Sequence, residues 1–266
     1  MKDIHLKSQK LKSEVLGLEK HIEEKIKLRE LENARFWNRL GGKPALKGSS
    51  VLEIGCGYGV LCIDMALSGA GLVVGLDISS KRIDVARKYL KEKYPQLKNI
   101  IEFKVMDLKD YPAFKFDYIF SKNSFEHIIE LEKMLIRMKS YLKSGGKIYA
   151  GFGPLYNSPF GDHGLTKTII PWGHLLIKES IIINKLNRRG SDKINSIYDL
   201  GLNKLPFSEY LRIFNTSGLY TIYFRVNQSS NIIVKIFSLF SKIPFLKEYF
   251  TQNIYCILEK TEDAPA

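Results

Sequence analysis

The sequence predicts an α/β fold, a doubly wound and mostly parallel sheet with helices on both faces. Two observations predict it. Apolar, β-like runs at 51–54, 72–76, 101–105, 117–121 and 147–152 alternate with helix-like stretches at 60–68, 80–94 and 129–142. The first run then passes through glycines on alternate positions, Gly55, Gly57 and Gly59, into a helical pattern begun by Leu61, Ile63, Met65, Ala66 and Leu67. Such a turn permits positive φ angles and removes the side chains that would keep a ligand off the backbone.

Residues 1–40 are highly charged, with Val15, Leu18, Ile22 and Ile26 at helical spacing, and read as a helical leader ending near Arg35-Phe36-Trp37 and packing across the mouth of the domain. Residues 41–266 form that domain. Ser79 or Ser80 can cap the helix striped by Ile83, Val85, Ala86 and Leu90. Gly145-Gly146 ends the next helix and turns the chain into the strand 147–152. Residues 154–205 break the rhythm, with Pro154, Pro159, Pro171 and a polar stretch at Asn187-Arg188-Arg189-Gly190, and read as a lid over the carboxyl ends of the strands. A helix over 207–217, ended by Gly218, and strands at 220–226 and 254–258 complete seven strands.

The chain has 266 residues, 45% of them hydrophobic, enough to fill one large core. Three cysteines, Cys56, Cys62 and Cys256, form neither a C-x-x-C pair nor an even disulfide set, which points to a reducing cytosol. The amino terminus lacks the apolar stretch of a secretory signal and no run suffices to span a bilayer, so a soluble, cytoplasmic protein is expected. The net charge of +13 reads first as a lysine-rich solvated surface. Without an aromatic-interleaved basic motif, nucleic acid is not the expected partner. The run 231–250, apolar and studded with lysines, either docks on an anionic membrane face or buries its apolar side on the domain; Pro244, which interrupts any long helix, favours burial.

Spacing narrows the ligand. A P-loop needs Gly-Lys-Ser/Thr at the loop's end, and a dinucleotide fingerprint needs glycine at position 60, which is Val60. What stands is Glu53-x-Gly55-x-Gly57-x-Gly59, then Asp77 closing the second strand and Asp107 following the third. With Val74–Ser79, Met106-Asp107-Leu108 and Phe116-Asp117-Tyr118-Ile119, these segments resemble the motifs of class I S-adenosylmethionine-dependent methyltransferases, over roughly residues 36–153. The resemblance implies the Rossmann-like seven-stranded sheet of that family and S-adenosyl-L-methionine as cofactor. It places Glu53, Gly55, Cys56, Gly57 and Gly59 at the methionine part, Asp77 and Ile78 at the ribose, Met106, Asp107 and Leu108 at the adenine, and Asn123 at the far edge.

Methyl transfer from a sulfonium asks the protein for alignment and, for a hydroxyl acceptor, a base. Of the histidines, His5 and His21 fall in the charged leader, which leaves His127 just after the fourth strand and His163 in the lid as the catalytic candidates. Tyr156 and His174 are candidate acceptor-binding residues, although Tyr156, Phe160 and Trp172 equally suit loop packing. Asp162, His163 and His174 match no ligand spacing, so no metal is expected. The segments Pro154–His163 and Pro171–Leu176 are similar to a bacterial subgroup tied to glycan and cell-surface polysaccharide genes. The expected function is O-methylation of a small molecule or glycan precursor; the alternatives are an RNA methyltransferase, which would carry an Asn-Pro-Pro-Tyr type of motif where Ser121-Lys122-Asn123-Ser124 stands, and a non-catalytic cofactor-binding scaffold.

Overall fold

The computed structural model describes residues 22–188, 193–229 and 231–261. Val15, Leu18, His5 and His21 of the leader, and Arg189-Gly190 of the lid, lie outside the described residues. The first described helix, α1, spans residues 22–39. There follow β1 (Ser50–Ile54), α2 (Val60–Leu67), β2 (Leu72–Asp77), α3 (Ser80–Lys93), β3 (Ile101–Val105), β4 (Phe116–Lys122), α4 (Leu131–Ser140) and β5 (Leu142–Phe152). Short helices α5 (Gly173–Leu176) and α6 (Glu179–Asn187) lie in the lid, before α7 (Phe207–Thr216), β6 (Tyr220–Val226), α8 (Ile232–Phe240), α9 (Lys247–Phe250) and β7 (Ile254–Glu259).

Among the described residues the seven strands form one sheet in the order β3-β2-β1-β4-β5-β7-β6. The strands β1 to β5 pair in parallel, and β7 runs antiparallel to both β5 and β6. Successive strand residues point to opposite faces, and the core divides accordingly. Leu52, Ile119 and Ile148 join α4 and α7 (Leu135, Met138, Tyr210, Phe214) on one face. Val51, Phe120 and Tyr149 join α2, α3 and the end of α1 (Leu61, Ile83, Phe36, Trp37) on the other. The order reverses between β1 and β4, the crevice where an open α/β sheet binds its ligand.

Ser79 caps α3, its hydroxyl accepting from the Arg82 amide at 3.4 Å. Gly145-Gly146 behaves differently from the expectation. The strand begins at Leu142, because the Gly145 amide donates to the Lys260 carbonyl at 3.0 Å and the Lys260 amide to Gly146 at 2.9 Å. The pair widens a strand instead of stopping a helix. The leader helix is stitched into the domain by Trp37 Nε1, which donates to Asp64 at 2.7 Å, and by Asn33 Nδ2 to the Val60 carbonyl at 3.2 Å. The lid carries its own small core of Tyr156, Ile182, Ile183, Ile197 and Leu202. No helix among the described residues is long and apolar enough to cross a membrane.

Candidate functional site

The glycine loop is held on the second strand. The Gly55 and Cys56 amides both donate to the Leu76 carbonyl, at 2.8 and 3.0 Å. Asp77, 5% exposed, accepts from the Gly57 amide at 2.9 Å on one oxygen and from the Ser79 amide at 2.8 Å on the other. A carboxylate oxygen takes more than one donor, so Asp77 braces the loop and retains acceptor capacity. Two of the glycines serve different ends. A Cβ on Gly59 would strike the Phe103 ring at 2.2 Å, so that glycine lets α2 and β3 close up. A Cβ on Gly57 would meet nothing within 4 Å, so there the backbone is bare on an open side. Ile78, 80% exposed, flanks this surface, and Asp107 caps a single turn by accepting from the Lys109 amide at 2.9 Å. An open backbone, two acidic acceptors and an exposed apolar side chain fit a nucleoside carrying an amino-acid arm.

Glu53 sits beneath the loop. It is 2% exposed and accepts from the Cys62 thiol at 2.9 Å. Burial pushes its carboxyl up to about 7, and burial pushes the neighbouring Lys122 ammonium down; their mutual attraction only partly offsets either. Lys122 Nζ donates to Asn33 of the leader helix at 2.5 Å, so the buried cation ties α1 to the end of β4.

Beyond the loop a cavity of about 310 Å³ opens at the carboxyl ends of β4 and β5. Arg35, Arg39 and Lys122 line it with Glu32, so its charge is predominantly positive. Phe36, Phe152, Phe160 and Tyr255 supply apolar wall. Arg39 is oriented by donating to the Tyr255 hydroxyl at 2.7 Å while its guanidinium lies 5.4 Å from that ring's centre. Asn123, with φ of 53°, turns the chain at the edge of the cavity, and its amide donates to the Gly151 carbonyl at 2.8 Å.

The loop after β4 meets the lid at two histidines. The His127 and His163 ring centres are 5.0 Å apart. His127 Nδ1 lies 2.7 Å from the Gly201 carbonyl and His163 Nε2 lies 3.0 Å from the Pro154 carbonyl. A carbonyl only accepts, so each of those nitrogens carries a proton, and in the neutral ring the opposite nitrogen keeps a lone pair. Burial, and then His127, push His163 down to about 4, leaving it neutral over the physiological range. Between them Glu126, 3% exposed, accepts from the Gly153 amide at 3.2 Å on one oxygen, while the other has no hydrogen-bond partner. Burial pushes that carboxyl up to about 8. Ligand atoms of Glu126, His127 and His163 lie within 4.8 Å of one another, an arrangement able to share protons or to hold a cation.

Residues 45–151 match the profile of a methyltransferase domain. Over those residues the chain matches a methyltransferase domain, and its sheet has the fold of S-adenosylmethionine-dependent methyltransferases. A ubiquinone biosynthesis O-methyltransferase of Coxiella burnetii (strain Dugway 5J108-111) is 25% identical over 175 residues, 66% of this chain and 68% of that protein. A ubiquinone biosynthesis O-methyltransferase from Coxiella burnetii (strain RSA 331 / Henzerling II) is 33% identical over 104 residues, which cover 39% of this chain and 43% of that one. The second match thus spans less than half of the relative's length. The structure of an S-adenosylmethionine dependent methyltransferase from Mesorhizobium loti superposes with a TM-score of 0.54 at 16% identity, covering 82% of this chain and 93% of the other. At that identity the likeness speaks for the fold alone.

The residues singled out in sequence separate into three groups. Gly55, Gly57, Gly59, Asp77, Ile78 and Asp107 gather at the strand ends around the loop, whereas Glu53, Cys56 and Leu108 are buried behind it and Met106 packs on the core. His127 and His163 come together, behind the Gly153-Pro154 segment and outside the cavity's lining. Tyr156 and His174 do not face the cavity: they pack edge to face at 5.0 Å, 7% and 4% exposed, and His174 Nε2 lies 2.6 Å from the Tyr156 carbonyl. Asp162 turns away from both lid histidines to accept from Thr166 at 2.5 Å. Of the aromatic trio only Phe160 lines the cavity. Sequence reasoning passed over Arg39, Glu126 and Tyr255, which no local motif marks, and took Arg35 only as the end of the leader.

Proposed function

We propose that this protein transfers a methyl group from S-adenosylmethionine to an oxygen of a small, amphiphilic acceptor. The observation that carries the reading is the mixed cavity at the carboxyl ends of β4 and β5, lined by Arg35, Arg39 and Lys122 together with Phe152, Phe160 and Tyr255, and joined to the glycine loop through Asn123 and Ser124, the latter packed against Gly55. Such walls suit an acceptor with an apolar or aromatic body and an anionic or phenolic group. A phenol-like ring fits the relatives named for ubiquinone biosynthesis O-methylation; a glycan precursor is the second class of acceptor, motivated by the lid segments.

The bound cofactor supplies an electrophilic methyl group on a positively charged sulfonium. The chain does the rest. Gly55 to Gly59 and Asp77 hold the methionine and ribose parts, Asp107 with Ile78 the adenine side, and Arg39, oriented by Tyr255, holds the acceptor's anionic end. His127, the exposed member of its pair, has one nitrogen committed to the Gly201 carbonyl; because it stands behind Gly153-Pro154 and not in the cavity wall, its other nitrogen takes the acceptor's proton through a bridging water. His163 and Glu126 set the polarity around it. A second reading is favoured by the unpartnered oxygen of Glu126: a divalent cation on Glu126, His127 and His163 would lower the acceptor hydroxyl's pKa in place of a base.

The test is titration calorimetry with S-adenosylmethionine and S-adenosylhomocysteine, NAD serving as control, followed by turnover on catechol-type and sugar acceptors. Binding of both methyl-cycle ligands but not NAD, with methyl ether formation on a phenolic acceptor, is expected. Cofactor binding without turnover on any acceptor would leave a cofactor-binding scaffold instead.

A further inference from the structure

Between β6 and β7 the chain leaves the sheet and returns to it, and Asn227 holds the neck of that excursion. Its amide donates to the Asn253 carbonyl at 3.1 Å, its side-chain nitrogen to Ser241 Oγ at 2.9 Å and to the Phe250 carbonyl at 3.2 Å, and its side-chain oxygen accepts from the Gln252 amide at 2.7 Å. Helix α8 is therefore presented in a set orientation. Its residues Ile232, Ile236, Leu239 and Phe240 are 67%, 50%, 59% and 43% exposed. The spacing i, i+4, i+7, i+8 puts them on one stripe of a helix. Val234, about half a turn away from Ile232, is partly buried and lines the acceptor cavity. The apolar side was expected to face the domain, yet much of it faces outward, and Phe245, 76% exposed, continues it past the helix.

A stripe of this size asks for a cover. Charge says which. Lys235 and Lys242 are exposed beside it, Lys247 follows with its ammonium over the Phe207 ring at 5.0 Å, and no Asp or Glu occurs between Asn231 and Lys247. The first acid, Glu248, is engaged with the Phe207 and Ser208 amides at 2.7 and 2.8 Å. A two-fold contact with a second copy would bring these lysines against their own equivalents. An anionic lipid surface would instead accept the apolar side chains between its headgroups and pair with the lysines at the rim.

We propose that α8 and the turn after it dock on an anionic bilayer surface, setting the mouth of the acceptor cavity against the lipid. Docking itself is independent of the chemistry; that it delivers an amphiphilic acceptor to the cavity rests on the methyl-transfer reading above. The helix lies in the interface and does not span it.

The full chain is floated with phosphatidylcholine vesicles, with and without phosphatidylglycerol, at low and moderate salt. Flotation with the anionic vesicles alone, weakening with salt, is the expected result. Ile236→Asp with Leu239→Asp, and separately Lys235→Glu with Lys242→Glu, each lower partition by at least about tenfold, with circular dichroism and S-adenosylmethionine affinity unchanged. Absent flotation, or flotation indifferent to all four substitutions, overturns the proposal. So does a wild-type dimer that the apolar substitutions dissociate, because a second copy would then cover the stripe. Loss of flotation with intact cofactor binding strikes only the docking; missing cofactor binding with intact flotation strikes only the methyl-transfer reading.

Discussion

The cofactor side and the acceptor side proposed for this molecule are built by opposite means. On the cofactor side each piece is a short local segment, residues 53–59, 77–79 and 106–108, set at the end of a strand and braced through backbone amides such as Gly57 to Asp77 at 2.9 Å. The acceptor side is assembled from side chains far apart in sequence: Arg39 of α1 meets Tyr255 of β7 across 216 positions, with Lys122, Phe152 and Phe160 between. A ligand common to a whole family can be read by backbone, which changes little with sequence. An acceptor that differs from relative to relative is read by side chains from several elements, each replaceable without disturbing the sheet.

If that division is right, substitutions should sort by side. The largest effect is expected at the proton acceptor: His127→Ala should lower turnover by about 10²–10⁴-fold with S-adenosylmethionine affinity preserved. Chelation with EDTA should leave wild-type turnover unchanged where His127 acts as base; loss of turnover, restored by a divalent cation, would assign Glu126, His127 and His163 to a cation. On the other side, Asp77→Ala should weaken S-adenosylmethionine binding by about 10- to 100-fold in calorimetry while acceptor affinity stays put, since it removes a charged acceptor and unbraces the loop together.

The two glycines sharpen the contrast within the cofactor side. Gly59→Ala should cost about 2–4 kcal/mol in denaturant unfolding, combining a left-handed backbone with a Cβ driven into Phe103. Gly57→Ala should cost only the backbone strain, about 1–2 kcal/mol, and show chiefly as weaker cofactor binding, because its Cβ enters open space. Arg39→Ala should raise the acceptor KM by about tenfold with little change in kcat, an effect confined to the acceptor wall.

A further effect lies beneath both sides. Burial lifts the Glu53 carboxyl from an ordinary 4.5 to about 7, so the folded state holds a proton that the unfolded chain releases. Its stabilisation is whole below the unfolded value and fades as pH rises through about 7. Glu53→Gln should flatten that slope, narrowing the difference in unfolding free energy between about pH 5 and about pH 8 by on the order of 2 kcal/mol. An unchanged slope would mean that Lys122 keeps Glu53 ionised.

Much of this was legible in sequence because it is local. The alternation of strand and helix, the glycine triplet and the acids closing β2 and following β3 each reside in a few consecutive residues, and local periodicity carries them. The meeting of His127 with His163 could be guessed from residue type but not located, since the lid's path decides it. Tyr156 and His174 show the opposite outcome: residue chemistry suggested a binding surface, and the lid used them to fill its own core. The α8 stripe was expected to be buried and much of it faces outward, because a helical period shows which residues share a face and not what that face meets.

By itself, then, the sequence determined the sheet's alternating pattern, the glycine turn of Gly55 to Gly59 and the acids that close β2 and follow β3, since backbone conformation and hydrophobic period are properties of neighbours along the chain. Only the tertiary structure decided which cations wall the cavity, which histidines share a proton's reach and which side of α8 stays outside, because those depend on distances between segments that the chain brings together only when it folds.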